Sequence, residues 1–229
     1  MGGLNVKNTI VERVLHIVAP HLCFGCGKVG VILCDNCKYD IIHEPFLGCI
    51  LCGSPEKDGI CQKHDSFIQR AFTISERNGP LEETINRLKF QRTKAAALPL
   101  AELLDEYLPY LPGGIILVPI PTVRSHIRQR GYDHVELLTR HLATLRDISM
   151  INLLRRVTTT TQHTVGRKER EIQSQDAFAI NTNTNLEGML VLLIDDIVTT
   201  GSTLQAAARA LSGAGATVWV ATLAYQPLD

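Results

Sequence analysis

The sequence predicts an α/β protein: a parallel β-sheet flanked by helices, with a small cysteine-rich segment in front of it. Three observations predict this. Two apolar runs, Ile115 to Val118 and Met189 to Ile194, show no polar alternation, which suits strands buried on both faces of a parallel sheet. Segments of helical period lie between the strand-like runs. All seven cysteines fall between residues 23 and 61 and the rest of the chain has none.

The elements are taken in chain order. Ile10, Val11, Val14, Leu15, Ile17 and Val18 recur at helical spacing. Glu12, Arg13 and His16 interrupt them, so this is an amphipathic helix and not a secretion signal. The cysteine segment follows, rich in glycine and poor in large apolar residues, and such a segment needs a staple to hold a fold. From about Phe67 the composition changes, giving expected regions of 1–66 and 67–229. Gln69 to Ser75 alternates like a strand. Pro80 fits the first turn of a helix that runs to about Phe90, with Leu81, Ile85 and Leu88 on one face. A second helix covers roughly Ala95 to Tyr107. Gly113-Gly114 opens the first buried strand, and Pro119-Ile-Pro121 closes it. His134 to Ala143 reads as a helix and Ile148 to Leu154 as a strand. Thr158 to Asp176 is a polar stretch without apolar period, the kind of long loop that is usually functional. The second buried strand then leads to a helix over Thr203 to Leu211, a stop at Gly213 to Gly215 and a last strand over Thr217 to Tyr225.

The chain has 229 residues and no net charge, with 23 Lys+Arg against 23 Asp+Glu. The zero excludes a globally basic protein, but it conceals an uneven distribution. Residues 122–170 hold ten Lys/Arg and four Asp/Glu, a net +6, while residues 171–229 carry −5. No apolar run approaches the roughly 18 residues of a membrane span. With clustered rather than dispersed cysteines, this predicts a cytoplasmic protein.

The cysteines form Cys23-x2-Cys26, Cys34-x2-Cys37 and Cys49-x2-Cys52, and Cys61-x2-His64 completes a fourth pair. Eight ligands in four pairs suit two tetrahedral Zn²⁺ ions, because two intervening residues let one tight turn present two donors. Gly27 and Gly53, each one residue after a pair, fit that turn. Pairing in sequence order gives Cys23, Cys26, Cys34, Cys37 and then Cys49, Cys52, Cys61, His64; a cross-braced pairing satisfies the same spacing. Neither leaves the open position of a catalytic zinc. A redox dithiol is the minor alternative. Residues 1–66 hold six Lys/Arg and seven Asp/Glu, so a docking or structural role precedes a nucleic-acid platform.

The segment Val191 to Leu204 carries the most chemistry. A buried strand ends in two adjacent carboxylates, Asp195 and Asp196, and a hydroxyl-rich loop around one glycine then leads into a helix. A helix N-terminus offers unpaired N–H groups and the positive end of its dipole. Thr199, Thr200, Ser202 and Thr203 add hydroxyls, and Gly201 lets the backbone approach a ligand. Together they make a phosphate cradle. The two aspartates are too acidic to hold phosphate and suit ribose hydroxyls, or a Mg²⁺ shared with the ligand. Neither the Walker pattern nor the dinucleotide glycine pattern is present.

This segment resembles the 5-phosphoribosyl-1-pyrophosphate (PRPP) signature of type I phosphoribosyltransferases. The resemblance extends through the cysteine pairs, Leu88-Lys89-Phe90, Val118 to Pro121, Arg130 to Leu138, Gln162, Arg170 and Ala177-Phe178 to the ComF family. That family joins an N-terminal zinc ribbon to a phosphoribosyltransferase domain and is associated with DNA uptake. The resemblance implies a type I phosphoribosyltransferase fold, with Mg²⁺ accompanying PRPP. It gives Asp195 and Asp196 the ribose, and Thr199, Thr200, Gly201, Ser202 and Thr203 the 5′-phosphate. Arg124, Arg128 and Arg130 follow the first buried strand, where this fold places its pyrophosphate loop, and Lys89 stands in a family-like position. Arg155, Arg156, Arg167, Lys168 and Arg170 flank or lie in the stretch that corresponds to a mobile closing loop. Arg128, Arg130 and Arg170 are the leading catalytic candidates, with Gln162 and His163 behind them. His126 and His134 read as surface or internally satisfied histidines, and no general base stands out. The chain departs from the family at Tyr132-Asp133-His134, where Phe-Asn-Gln is usual, at Gln173, where an Asn is usual, and at His64, where a Cys is usual. Two functions follow as expectations. One is phosphoribosyl transfer from Mg·PRPP to an unknown acceptor, which the hood at about 67–95 and the ribbon would select. The other is a non-catalytic factor that binds single-stranded DNA or proteins of the uptake machinery.

Overall fold

The computed structural model describes residues 21–157, 177–181 and 185–227. The expected N-terminal helix and the polar stretch with Gln162, His163, Arg167, Lys168, Arg170 and Gln173 lie outside them. Helix α1 (Asp35–His43) belongs to the cysteine region. Strand β1 (Arg70–Glu76) leads to α2 (Gly79–Phe90), a 3₁₀ turn (Lys94–Ala96) and α3 (Ala97–Tyr107). Strand β2 (Ile116–Pro119) precedes two helices, α4 (Arg124–Arg130) and α5 (His134–Arg146). Strands β3 (Leu154–Arg156) and β4 (Phe178–Ile180) form a small antiparallel pair. Strand β5 (Leu190–Val198), helix α6 (Ser202–Gly213) and strand β6 (Thr217–Tyr225) complete the described chain.

The four long strands make one parallel sheet in the order β1-β6-β5-β2. The apolar runs fill both faces. Leu117, Leu192, Ile194, Ala221 and Leu223 pack under α2, α3 and α5, while Val118, Val191, Leu193, Val218 and Val220 pack under α6 and the β3–β4 pair. The cysteine region adds its own apolar residues to the first of these clusters, through Ile32, Leu33 and Ile41. Parallel strands all end at one edge, and the crevice outside that edge is where such sheets place ligands.

Two expectations need correction. The segment Ile148 to Leu154 is not a strand of the sheet. Leu117 N–H donates to the Ser149 carbonyl at 2.9 Å, and Ile151 N–H donates to the Leu117 carbonyl at 3.0 Å, giving a single bridge at Met150. The chain then turns away to pair with β4. Strand β5 also does not stop at the acidic pair but runs on to Val198. Among the described residues no helix is long and apolar enough to cross a membrane.

Candidate functional site

Because β5 runs through the acidic pair, alternation sends the two carboxylates to opposite faces of the sheet. Asp196 turns toward α2 and α5 and is 5% exposed. Its Oδ2 lies 3.0 Å from Lys89 Nζ at the end of α2, and 2.7 Å from His134 Nε2 at the start of α5. Arg130, also buried, reaches His134 Nδ1 at 2.9 Å. Burial opposes ionisation of Asp196, but the His134 hydrogen bond and the Lys89 charge outweigh it and hold the carboxyl below the usual range. Asp195 has the opposite fate. Burial and the neighbouring Asp196 charge push it up to about 8, against a hydrogen bond from Asp196 N–H and the charges of Lys89 and Arg156. Ionisation is thus divided unevenly, with Asp196 the more acidic of the pair.

Around this pair lies a cavity of about 610 Å³ at the ends of β2 and β5. Lys89, Arg130, Arg156, Asp195, Asp196 and Thr203 line it. Arg156 is anchored by its Nε donating to the Pro121 carbonyl at 2.7 Å, with its guanidinium 4.8 Å from the Phe178 ring centre. Asp133 fixes the rim. It caps α5 by accepting from Val135 N–H at 3.0 Å and Glu136 N–H at 3.2 Å. It also accepts from Thr122 N–H at 3.0 Å and Thr122 Oγ1 at 2.8 Å, which ties the end of β2 to α5.

Thr199, Thr200, Gly201, Ser202 and Thr203 wrap a separate depression of about 30 Å³ beside Asp195. Gly201 caps α6 with φ 70°, a left-handed conformation that glycine adopts without strain. Thr200 Oγ1 accepts from Ser202 N–H at 3.3 Å and donates to Ser202 Oγ at 2.9 Å. The loop joins a helix N-terminus to four exposed or half-buried hydroxyls, which is the chemistry of an anion site.

The structure thus brings together Lys89, Arg130, Asp195, Asp196 and the loop 199–203. Arg124, Arg128 and Arg155 are exposed, and they are not among the residues lining the cavity. Arg170 lies outside the described residues. His134 and Arg156 stand in the site with more contacts than their sequence suggested. His134 is 4% exposed and is satisfied by Asp196, which agrees with an internally satisfied histidine, but its partner belongs to the acidic pair. Only the departure from the family pattern at this position hinted at it.

The cysteine region forms two groups of donors in sequence order, Cys23, Cys26, Cys34, Cys37 and Cys49, Cys52, Cys61, His64, each with its donor atoms within 4.8 Å of one another. A tetrahedral ion with bonds near 2.3 Å to sulfur separates its sulfurs by about 3.8 Å. The Sγ separations are 3.7 Å for Cys23–Cys37, 3.6 Å for Cys26–Cys34 and 3.8 Å for Cys52–Cys61. His64 Nε2 is buried without a hydrogen-bond partner, as a nitrogen reserved for a metal would be. Gly27 and Gly53 have φ 76° and 71°, completing the two tight turns. The residues fit two zinc ions.

Residues 142–228 match the phosphoribosyl transferase domain family. Fold and match define the class: a type I phosphoribosyltransferase-domain protein with an N-terminal region built for metal. The chain is 33% identical to Competence protein F of Haemophilus influenzae over 215 residues, covering 84% of this chain and 91% of that protein. It is 31% identical to the DNA utilization protein YhgH of Salmonella typhimurium, covering 85% and 86%. Competence protein ComFC of Bacillus subtilis is 27% identical, covering 78% and 77%. The chain belongs to the ComF family.

Proposed function

We propose that this protein binds Mg·PRPP and transfers its phosphoribosyl group to an acceptor, in the cytoplasm and in the service of the DNA uptake or utilization for which its relatives are named. The observation that carries the reading is the continuity of β5: a buried ion-paired Asp196, a proton-bearing Asp195 and a phosphate loop follow one another at the open end of the sheet. In this reading the N–H groups and hydroxyls of residues 199–203 hold the 5′-phosphate. Asp195 and Asp196 accept from the ribose 2′- and 3′-hydroxyls, which keeps the anomeric carbon facing the cavity. Lys89, Arg130 and Arg156 supply positive charge around that cavity, with the exposed Arg124 and Arg128 available from outside it. The acceptor forms its bond to C1 on the face opposite the leaving group, and the C1–O bond breaks with its electrons passing to pyrophosphate. Fixed cations placed before the reaction stabilise that developing charge more than mobile water does. Mg²⁺, when bound, neutralises part of the pyrophosphate charge. Residues 1–66 hold two structural Zn²⁺ ions and residues 67–229 form the transferase-type part.

Calorimetric titration of Mg·PRPP into wild type and an Asp195→Ala, Asp196→Ala double variant tests this. Saturable binding by wild type and at least tenfold weaker binding by the variant is expected. Wild type with no affinity for PRPP would end the proposal.

A further inference from the structure

The cysteine region and the phosphate loop meet at one point. A Cβ built on Gly201 would lie 2.3 Å from Leu51 Cδ2 and 3.5 Å from the Ile50 carbonyl oxygen. Ile50 and Leu51 are the two residues between Cys49 and Cys52, so they form the first turn of the second metal cluster. That turn is fixed from several sides. Ile50 is fully buried and its N–H donates to the Gly59 carbonyl at 2.9 Å. Gly53 N–H donates to the Cys49 carbonyl at 2.8 Å. Gly53 itself abuts the Tyr225 hydroxyl, and Tyr225 stacks on Phe46 at 4.1 Å. Beside the contact is a cavity of about 500 Å³ lined by Leu51, the ligand His64 and the loop hydroxyls of Thr200 and Ser202. The second cluster thus reaches the loop through Leu51 and faces its hydroxyls across a gap through His64. The first cluster is placed differently. Gly25 in its first turn abuts Pro80, at the start of α2.

We propose that Leu51 is a positioning residue for the phosphate loop, and that zinc in the second cluster is coupled through it to anion binding at residues 199–203. The identity of the natural ligand rests on the PRPP reading above. Four donors gathered by one ion hold the Cys49–Cys52 turn rigid, and the turn holds Leu51 against the left-handed Gly201. Released donors lose that constraint, and the loop loses its wall. Coupling between two sites is reciprocal, so an anion on the loop must also tighten the hold on zinc.

The test uses the full zinc-loaded protein and a chromophoric chelator that competes for zinc. Zinc release is followed with no addition, with inorganic phosphate and with Mg·PRPP. One of the two zinc equivalents is expected to be released about tenfold less readily when the loop is occupied, and the other unchanged. Leu51→Ala is expected to keep two zinc ions, to weaken PRPP binding about tenfold and to remove the protection. Leu51→Met, which keeps an apolar side chain of similar length, is expected to restore both. Absence of protection by phosphate and by PRPP alike, or PRPP affinity in Leu51→Ala equal to wild type, overturns the coupling. Protection by phosphate in a protein that ignores PRPP supports the coupling and defeats only the PRPP reading.

Discussion

At Asp196 a buried carboxylate depends on two neighbours, and removing one of them leaves an uncompensated charge. Lys89→Met takes away the lysine ammonium 3.0 Å from its Oδ2. Breaking a buried pair from one side costs about 3 kcal/mol. A protein of this size then melts about 6–12 °C lower. Adding Asp196→Asn removes the stranded charge, so the double variant is expected to recover most of the loss. Thermal melts of both variants decide it, and an unchanged Lys89→Met melt would show the pair to be idle. Asp195 gives a pH signature. Its ordinary value is 3.8 and in the folded protein it is near 8. Between these values the folded chain keeps a proton that the unfolded chain has released, so stability falls as pH rises through that window and levels off above it. Asp195→Asn lacks this slope. Its melting temperature relative to wild type, without ligand, is expected to be higher at pH 8 than at pH 5; a constant difference would refute the shift. The acidic pair was legible in sequence because adjacent carboxylates after an apolar strand are an unusual pattern. The role of His134 was not, because its burial depends on Asp196, a residue 62 positions away.

At the scale of elements, the site depends on how β2 hands the chain to α5. Asp133 accepts four hydrogen bonds there, two from the first turn of α5 and two from Thr122. Asp133→Ala removes the cap and releases the rim of the cavity, and caps of this kind are worth about 1–2 kcal/mol. Asp133→Asn keeps the Oδ1 acceptor of the cap but turns an amide N–H toward the Thr122 N–H that Oδ2 accepts, so it is expected to fall between the alanine variant and wild type. Denaturant unfolding should show a lower midpoint for the alanine variant with an unchanged slope; equal midpoints would remove Asp133 from its role. Strands β2 and β5 were legible because runs buried on both faces carry no ambiguity of phase. Helix α4 was not, because Arg124 to Arg130 contains one apolar residue, Ile127, and so has no period to read. Strand β3 was misplaced for a related reason. Ile148 to Leu154 is apolar enough for a strand, but whether it joins the sheet or leaves it is settled by its pairing with β4, and that information lies outside the segment.

At the scale of the whole molecule, the zero net charge is a sum over parts with different tasks. The excess of +6 in residues 122–170 includes Arg130 and Arg156 at the cavity, while the −5 in residues 171–229 includes the acidic pair. That arrangement suits a small anionic ligand held locally better than a polyanion spread over the surface. The cysteine region is equally bound into the whole. Cys23, Ile32, Leu33 and Ile41 share one buried cluster with Leu81, Ile85 and Leu104 of the neighbouring helices. Ile50 lies in the other cluster, with its carbonyl against Gly201 of the loop 199–203. A region whose apolar residues are divided between both halves of the core has no separate core to unfold alone. Metal binding energy is folding energy where the site forms only on folding. Removal of both ions is therefore expected to lower the stability of the entire chain, with a single calorimetric transition displaced downward by about 10 °C or more. Two transitions in the stripped protein, with the upper one unmoved, would show that the sheet stands independently of the metal region. A single displaced transition would mean that zinc supply sets the amount of folded protein, and with it every activity the open edge of the sheet supports.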